Sequence, residues 1–579
     1  MNNEMNKNMI PIKWIMGKAS QPENKVEFEQ FAKDVSSLDI SEPVARILYN
    51  RDVNTYAKVK KHLYMELHET YNPSLFKDSD KFIEGLTKAI KEKHKIVIMG
   101  DYDVDGVTGT AIAMLGLQNI GVDVDFYINN RFVEGYGFKP ESLDAILKLY
   151  PDVQTIVTVD NGIVSFEAVE LAVKKGIQVL VTDHHEPKPD GSLPCAHAVV
   201  NHKRLDCEYP FKHLSGAGVI FKMLLLLYWE LELELDDIYD LLDILAVSTV
   251  ADVVSITDEN RVFLKEGLRL LRSDHRLFFK ILNEEMEIAN IDEETIGFKY
   301  SPAINAIGRL DGCPSEIVRA MISDDEEFVR SICMKMVAKN KARQEHTKEQ
   351  VDKAELLLLE ETETDVIVLH DESFMEGIVG LIAGRLCERY HKPVIALTTH
   401  DGVIKGSARS TPLIDIKKAL DHCAELLEGY GGHPQAGGLS LNPENLSAFK
   451  SKINSFARAE MVGKEASKIV LIDSGLDTSQ INGEIIDEID KLKPYGQDFP
   501  KPTFGYKTKV LEFGRDVKGN TLRIIGFNKI CVLGFDNKKQ YIELGEPSNI
   551  AVVGCPSINI FRGAVSYQFV IKENNLKGF

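Results

Sequence analysis

Four short apolar runs, each passing directly or after a single Gly into polar residues, constrain this chain more than any other feature. They are Ile96-Val-Ile-Met99, Val124-Asp-Phe-Tyr-Ile128, Thr155-Ile-Val-Thr-Val159 and Val179-Leu-Val-Thr182. Amphipathic stretches separate them, and strands alternating with helical segments form a parallel sheet covered by helices. Ligands of such open α/β sheets sit beyond the carboxyl ends of the strands. The residues at those ends therefore bear on chemistry first.

The first run leads into Gly100-Asp101-Tyr102-Asp103-Val104-Asp105-Gly106, with a helix predicted from Val107 to Leu117. Three carboxylates at alternate positions can bring several oxygens to one cation site. The same pattern opens an EF-hand loop. That loop needs a helix before it and a bidentate Glu in twelfth place, whereas here a strand precedes it and Ile112 takes that place. The third run ends at Asp160-Asn161-Gly162, the fourth at Asp183-His184-His185, and Asp252 closes a long apolar helix-like segment. One Asp after a strand is as readily a helix cap as a ligand. Four or more carboxylates and an imidazole on one sheet edge are a different matter, because their charge is costly unless cations occupy it. Mixed Asp/His ligation suits manganese or magnesium better than structural zinc. Two such metals support in-line displacement at phosphorus, so phosphoester hydrolysis is the expected reaction.

At 579 residues the chain exceeds one ordinary core. Residues 1–93 are expected to be a helical lead-in, with apolar positions at helical spacing around Val44, Ile47 and Leu48. The strand-rich catalytic region is placed at 94–320. A Lys/Glu-rich stretch without Pro or Gly, from about Asp325 to Glu361, predicts a long connecting helix within 321–360. A second α/β unit (361–456) follows, with strands Asp365–Leu369 and Pro393–Leu397 flanking a helix from about Ile378 to Tyr390. Short β-type runs such as Thr521–Ile525 and Tyr567–Ile571 predict a small barrel in 457–579.

The net charge of −20 argues against a protein that coats nucleic acid nonspecifically. The stretch from Lys501 to Phe579 has the opposite balance, with twelve Lys/Arg against six Asp/Glu. No apolar run reaches the ~18 residues needed to span a bilayer, and the N-terminal residues lack the order of a secretory signal. The eight cysteines form no close-spaced framework, so reduced thiols and a cytoplasmic location are expected. Cys195, His197, His202 and Cys207 offer soft ligands within thirteen residues. Their spacing matches no standard zinc signature and Ala-Val-Val-Asn between them looks like a buried strand end, so zinc is not expected.

Asp101-Tyr-Asp-Val-Asp-Gly106, Asp160-Asn-Gly162, Asp183-His-His185 and Ala251-Asp252 resemble the four ordered motifs of the DHH phosphoesterases, most closely those of the RecJ family. Supporting stretches are Asn130–Gly137, Gly216-Ala-Gly218, Asn305–Arg309, Gly406–Ser410 and Gly431–Gly437. The resemblance implies a DHH domain joined by a long helix to a DHHA1 substrate domain and an OB-like barrel. It implies that Asp105, Asp160, His184 and Asp252 hold one divalent cation. Asp103 would hold a second, sharing Asp105 and Asp160, with Asp101 assisting. His185 would touch the scissile phosphate or support the ligands, and water activated by the cations would be the nucleophile. Arg131, Ser407 and Arg409 would bind the 5′-terminal phosphate, with Arg309 and His433 as further phosphate contacts. Arg matches phosphate in bidentate fashion, and a hydroxyl in a Gly-bounded loop can approach closely. Tyr567, Phe569 and Phe561 are candidate base-stacking residues in the barrel.

The implied activity is 5′ to 3′ degradation of single-stranded DNA in repair and recombination, with two Mn2+ or Mg2+ ions. A monomer is expected, with single-strand binding protein or a helicase as partners and no membrane association. Met375 and Gly437 depart from the usual family pattern and bear on fine substrate preference. Two other readings are a phosphoesterase of short oligonucleotides, cyclic dinucleotides or pyrophosphate, and a non-catalytic replication scaffold. The OB-like tail disfavours the first and the filled acidic set disfavours the second.

Overall fold

A parallel five-stranded sheet underlies the chemistry-bearing motifs. It comprises β1 (Lys95–Gly100), β2 (Val124–Ile128), β3 (Val153–Val159), β4 (Gln178–Thr182) and β5 (Ala198–Val200). The spatial order is β2-β1-β3-β4-β5, so the chain reverses its winding between β1 and β3. The crevice beyond the strand ends at such a reversal is the usual ligand position. The expected strands all form, extended by up to two residues. The apolar alternation explains their stability. Val97, Met99, Ile156, Val179 and Val181 pack on one face against Leu143, Ile146, Val169 and Ala172.

The computed structural model describes residues 11–273, 276–358, 364–463, 467–515, 517, 519–561 and 564–579. They fall into two units. The larger contains Trp14–Gly308, Gly312–Met334 and Val470–Phe579; the smaller contains Arg309–Asp311 and Lys335–Ile469, grouped with the residues up to Lys13.

In the larger unit, β1 leads into helix α1 (Val104–Gln118), which begins three residues earlier than the sequence suggested. Asp103 caps it, its carboxylate accepting the Gly106 N–H at 3.1 Å. Such a cap satisfies one of the unpaired N–H groups of the first turn. Helix α2 (Gly216–Glu230) is apolar on nearly every side and buried. It is not a membrane span: among the described residues no helix is long and apolar enough to cross a bilayer. Lys222 sits in its middle, fully buried, with Nζ 3.0 Å from Glu259 and 2.6 Å from the Tyr71 carbonyl. Glu259 also accepts the Tyr209 hydroxyl at 2.5 Å. Helix α3 (Leu242–Ala251) ends at Asp252.

The C-terminal strands form a closed five-stranded barrel. Strands β12 (Phe504–Phe513), β13 (Leu522–Gly526), β14 (Cys531–Gly534), β16 (Ala564–Gly578) and β15 (Asn549–Phe561) follow one another around it, and β15 returns to β12. Strand β11 (Ser474–Leu476) adds to β12. The lead-in helices share the barrel's core, with Phe28, Phe31, Ile47 and Leu48 in one apolar cluster with Ile485, Tyr506 and Phe569. Arg51 and Asp473 form a buried bidentate pair at 2.7 and 3.1 Å. Trp14 Nε1 donates to Asn575 Oδ1 at 2.9 Å, and the Lys577 ammonium lies over the indole. The lead-in is therefore not wholly helical: Ile12–Met16 is a strand.

His62 is buried against Phe499, ring centroids 4.1 Å apart, and its Nε2 has no hydrogen-bond partner among the described residues. Burial, followed by the Arg261 and Arg51 charges, pushes its pKa down to about 2. Unfolded, the imidazole takes up a proton near pH 6.5; folded, it stays neutral until about pH 2. Its contribution to stability is thus complete above pH 6.5 and declines by up to about 1.4 kcal/mol per pH unit below it. Urea unfolding at pH 7 and pH 5 is expected to show a smaller acid-induced loss in His62→Phe than in the parent, by about 2 kcal/mol.

The smaller unit has a five-stranded sheet in the order β9-β10-β8-β7-β6, formed by β6 (Ile367–His370), β7 (Val394–His400), β8 (Val403–Arg409), β9 (Gly429–His433) and β10 (Ala436–Leu441). Only β6 and β7 are parallel. Helix α5 (Val379–Tyr390) packs on it through Ile382, Ala383 and Leu386. The predicted connecting helix is α4, the 33 residues Glu326–Leu358.

Candidate metal centre and phosphate pocket

At the winding reversal, four elements bring carboxylates together. Asp105 lies in the first turn of α1 and is held from across the fold. Its oxygens accept the Gly216 N–H at 2.6 Å, the Ala217 N–H at 2.9 Å and the Ser248 hydroxyl at 2.5 Å. The amino end of α2 thus orients it, with the dipole favouring its negative charge. Gly216 must be glycine, since a Cβ would lie 2.5 Å from the Asp160 Cβ. Asp160, just past β3, adopts a left-handed backbone (φ 62°), which is uncommon outside glycine. Its Oδ1 is buried and accepts no hydrogen bond from the described residues.

His184 Nε2 faces three carboxylates: Asp160 Oδ1 at 3.2 Å, Asp252 Oδ2 at 3.6 Å and Asp105 Oδ2 at 3.7 Å. Asp105, His184 and Asp252 can share an ion, as can Asp160, His184 and His185. Burial raises Asp160 and Asp252 well above the ordinary carboxylate range, and neighbouring carboxylates raise them further. Burial and Asp105 likewise raise Asp103, while burial and Asp103 push Asp101 up to about 8. This mutual repulsion, with hard O and N donors and an orphaned Asp160 oxygen, fits divalent cations.

Asp101 has a more structural position than the motif suggests. Its Oδ1 takes the Asn129 side-chain N–H at 3.1 Å and the Gly137 N–H at 3.5 Å, tying down the loop that carries Arg131. Asp183 turns inward, accepting N–H groups from Ile163, His184 and His185 and bonding His185 Nδ1 at 2.8 Å. Burial pushes Asp183 upward, but His185 outweighs it and holds the carboxyl at about 2. His185 is correspondingly raised to about 9, Asp183 overcoming the downward effect of burial. Sequence reasoning gave no role to Tyr136, whose hydroxyl lies 2.8 Å from His185 Nδ1 and 3.3 Å from the Asp160 carbonyl oxygen. The Arg131 N–H donates to the Gly312 carbonyl, and its guanidinium lies 5.1 Å from the centroid of the Tyr102 ring.

In the smaller unit, Ser407 and Arg409 lie on strand β8 instead of the Gly-bounded loop expected. Their registers run Ser407–Gly438–Gly431 and Arg409–Ala436–His433 across the sheet, so Ser407, Arg409 and His433 share one face. The residues between them are small. Gly380, in the first turn of α5, leaves room for both polar groups: a Cβ there would meet Ser407 Oγ at 3.1 Å and Arg409 Nη2 at 3.2 Å. Arg309, on the helix Ser301–Leu310, reaches the Gly377 carbonyl at 3.4 Å. Two guanidiniums and a hydroxyl thus adjoin the start of a helix, an arrangement suited to an anion.

Among the barrel candidates, Phe569 is fully buried in the core and cannot stack on a base. Tyr567 is 37% exposed, whereas the Phe561 side chain lies outside the described residues. Cys195 is exposed and Cys207 buried, and among the described residues no metal-competent group includes a cysteine.

Residues 95–249 match the DHH family, N-terminal domain; 363–459 match the DHHA1 domain; and 472–573 match the RecJ OB domain. The chain is 32% identical over 573 residues to the single-stranded-DNA-specific exonuclease RecJ of Bacillus subtilis, covering 97% of this chain and 70% of that one. It is 33% identical to the protein of the same name from Salmonella typhimurium, covering 85% and 89% respectively. The fold is similar to that of RecJ from Thermus thermophilus in complex with Mn2+, with a TM-score of 0.82, 24% identity and coverage of 99% and 80%. A structure of exonuclease RecJ bound to manganese matches at 31% identity and a TM-score of 0.58, over 66% of this chain and 95% of that one.

Proposed function

The chain belongs to the RecJ family of DHH phosphoesterases, and from that premise we propose how its residues carry out metal-dependent hydrolysis of single-stranded DNA from the 5′ end. The enzyme is a single-strand-specific exonuclease using divalent cations, manganese or magnesium. The observation that best supports the site assignment is the convergence of three carboxylates within 3.7 Å of His184 Nε2.

Asp105, Asp160, His184 and Asp252 would hold one cation, and Asp103, with Asp105 and Asp160, would hold the second. Bound there, the cations supply the Lewis acidity that makes water nucleophilic and offsets charge on the phosphodiester. The protein's own part is placement. The amino end of α2 fixes Asp105, and Asp183 fixes the His185 ring so that its Nε2 can donate to a phosphate oxygen. Asp101 acts by shaping the Arg131 loop.

Ser407 and Arg409 bind the terminal 5′ phosphate, a role also proposed for Arg131, and Arg309 and His433 contact substrate phosphates. Anchoring the end imposes the 5′ to 3′ direction. In this reading the DHH domain occupies 94–320, the connecting helix lies within 321–360, the DHHA1 domain occupies 361–456 and the barrel 457–579, with the barrel adding charge and stacking for the single strand. The site of action is the cytoplasm, the protein acts as a monomer, and single-strand binding protein and a helicase are its proposed partners.

The test is digestion of 3′-labelled, 5′-phosphorylated single-stranded and duplex DNA with Mn2+ or Mg2+. Only the single strand should shorten, from its 5′ end, and chelation should stop it. Cleavage of dinucleotides or pyrophosphate alone would instead support the small-substrate reading. Arg409→Ala is expected to lower kcat/KM on 5′-phosphorylated strands by roughly 10- to 100-fold, the equivalent of one charged phosphate contact. Its preference for 5′-phosphate over 5′-hydroxyl ends should collapse; an unchanged preference would remove Arg409 from the pocket.

A further inference from the structure

His202 was weighed in the sequence only as a zinc ligand, and the structure gives it a different setting. Strands β4 and β5 pair in parallel with Leu180 opposite Ala198 and Thr182 opposite Val200. The Asp183 N–H donates to the Val200 carbonyl at 3.1 Å, carrying the pairing past the end of β4. Continued at the same offset, His184 and His202 occupy matching positions. Asn201, beside His202, holds this segment to the motif by donating to the His185 carbonyl at 2.9 Å.

The His202 side chain is fully buried, and among the described residues neither ring nitrogen has a hydrogen-bond partner. A buried polar group without a partner costs about 1–3 kcal/mol, and a full apolar replacement would avoid that cost. His184, meanwhile, directs Nε2 toward the carboxylates. An imidazole that ligates through Nε2 carries its proton on Nδ1, and the acceptor of that proton fixes both tautomer and ring orientation.

We propose that His202 is a positioning residue for His184, one of its ring nitrogens accepting the His184 Nδ1 proton through one ordered water. The inference rests on the assignment of His184 as a cation ligand. It gives the fold two imidazoles in tandem just beyond the ends of adjacent strands, one facing the ions and one setting its orientation from within the core.

Mn2+ binding to the full chain, followed by the electron paramagnetic resonance signal of free Mn2+, tests this without reference to turnover. The comparison is between the parent, His184→Ala, His202→Phe and His202→Gln, with melting temperatures measured in chelator. His202→Phe fills the site, beside Phe76, with an apolar ring. It should weaken Mn2+ binding by about 10- to 100-fold, as loss of a ligand's outer partner does, without lowering the metal-free melting temperature. His202→Gln, which retains an acceptor, should recover much of that affinity. Binding of His202→Phe within twofold of the parent, while His184→Ala is weakened, would overturn the role of His202 alone. Equal weakening of both His202 variants with lowered melting temperatures would also overturn it, in favour of packing. Parental affinity in His184→Ala would overturn the ligand assignment itself.

Discussion

Asp160→Asn is expected to reduce exonuclease kcat/KM by about 10³-fold or more while making the metal-free protein harder to melt. The loss follows from removing a shared charged ligand where hydrolysis depends on bound cations. The stabilisation follows from electrostatics. Burial raises the Asp160 pKa, and Asp105, Asp103, Asp252 and Asp101 raise it further, so its charge opposes folding unless cations are present. Asn keeps the shape and tolerates the left-handed backbone found at φ 62°. A rise of about 2–4 °C in chelator is expected, together with a weaker response to added Mn2+ than the parent's. Function would then be retained at a cost in stability, as is common at active sites. A variant that melts lower in chelator, or still digests DNA, would contradict this account.

The second large effect lies away from the metals. Lys222→Ala should destabilise the larger unit by about 3–5 kcal/mol, because it leaves Glu259 buried without its cation. Both side chains of this pair are fully buried, and Lys222 also secures the Tyr71 carbonyl. The paired replacement Lys222→Met with Glu259→Leu removes both charges and keeps the volume, and should recover most of the loss. Chemical denaturation of the two variants measures it. A double variant no more stable than Lys222→Ala would mean that the Tyr71 and Tyr209 hydrogen bonds, and not the ion pair, dominate.

The catalytic sheet was legible because apolar periodicity and burial have the same cause. Val124–Ile128 forms as expected, and the neighbouring strands grow by one or two residues. Helix α1 starts three residues before Val107 because the Asp103 carboxylate, besides facing the cation site, caps the helix. The donors that fix Asp105 could not be found locally, lying 111 to 143 residues away on α2 and α3. Glycines misplaced Ser407 and Arg409. Gly406 and Gly432 suggest turns, but they are required by close backbone packing, with a Cβ meeting carbonyl oxygens at 2.4 and 2.3 Å. Tyr567 and Phe569 share strand parity yet differ in burial. Phe569 pairs with Val532 and Pro556 inside the closed barrel, whereas Tyr567 pairs with Ile558 where the hairpin runs beyond it. Parity is a local property, and barrel closure is not.

The bond from Trp14 to Asn575 joins residues 561 positions apart in sequence. During synthesis Trp14 leaves the ribosome long before its partner exists, and so does Arg51 before Asp473. The catalytic sheet, built from contacts much closer in sequence, can assemble in the interval, but the lead-in helices must wait for the barrel whose core they complete. Such late, distant closure is slow in principle, since long loops must be ordered before their contacts form. A segment translated late thus secures one translated early.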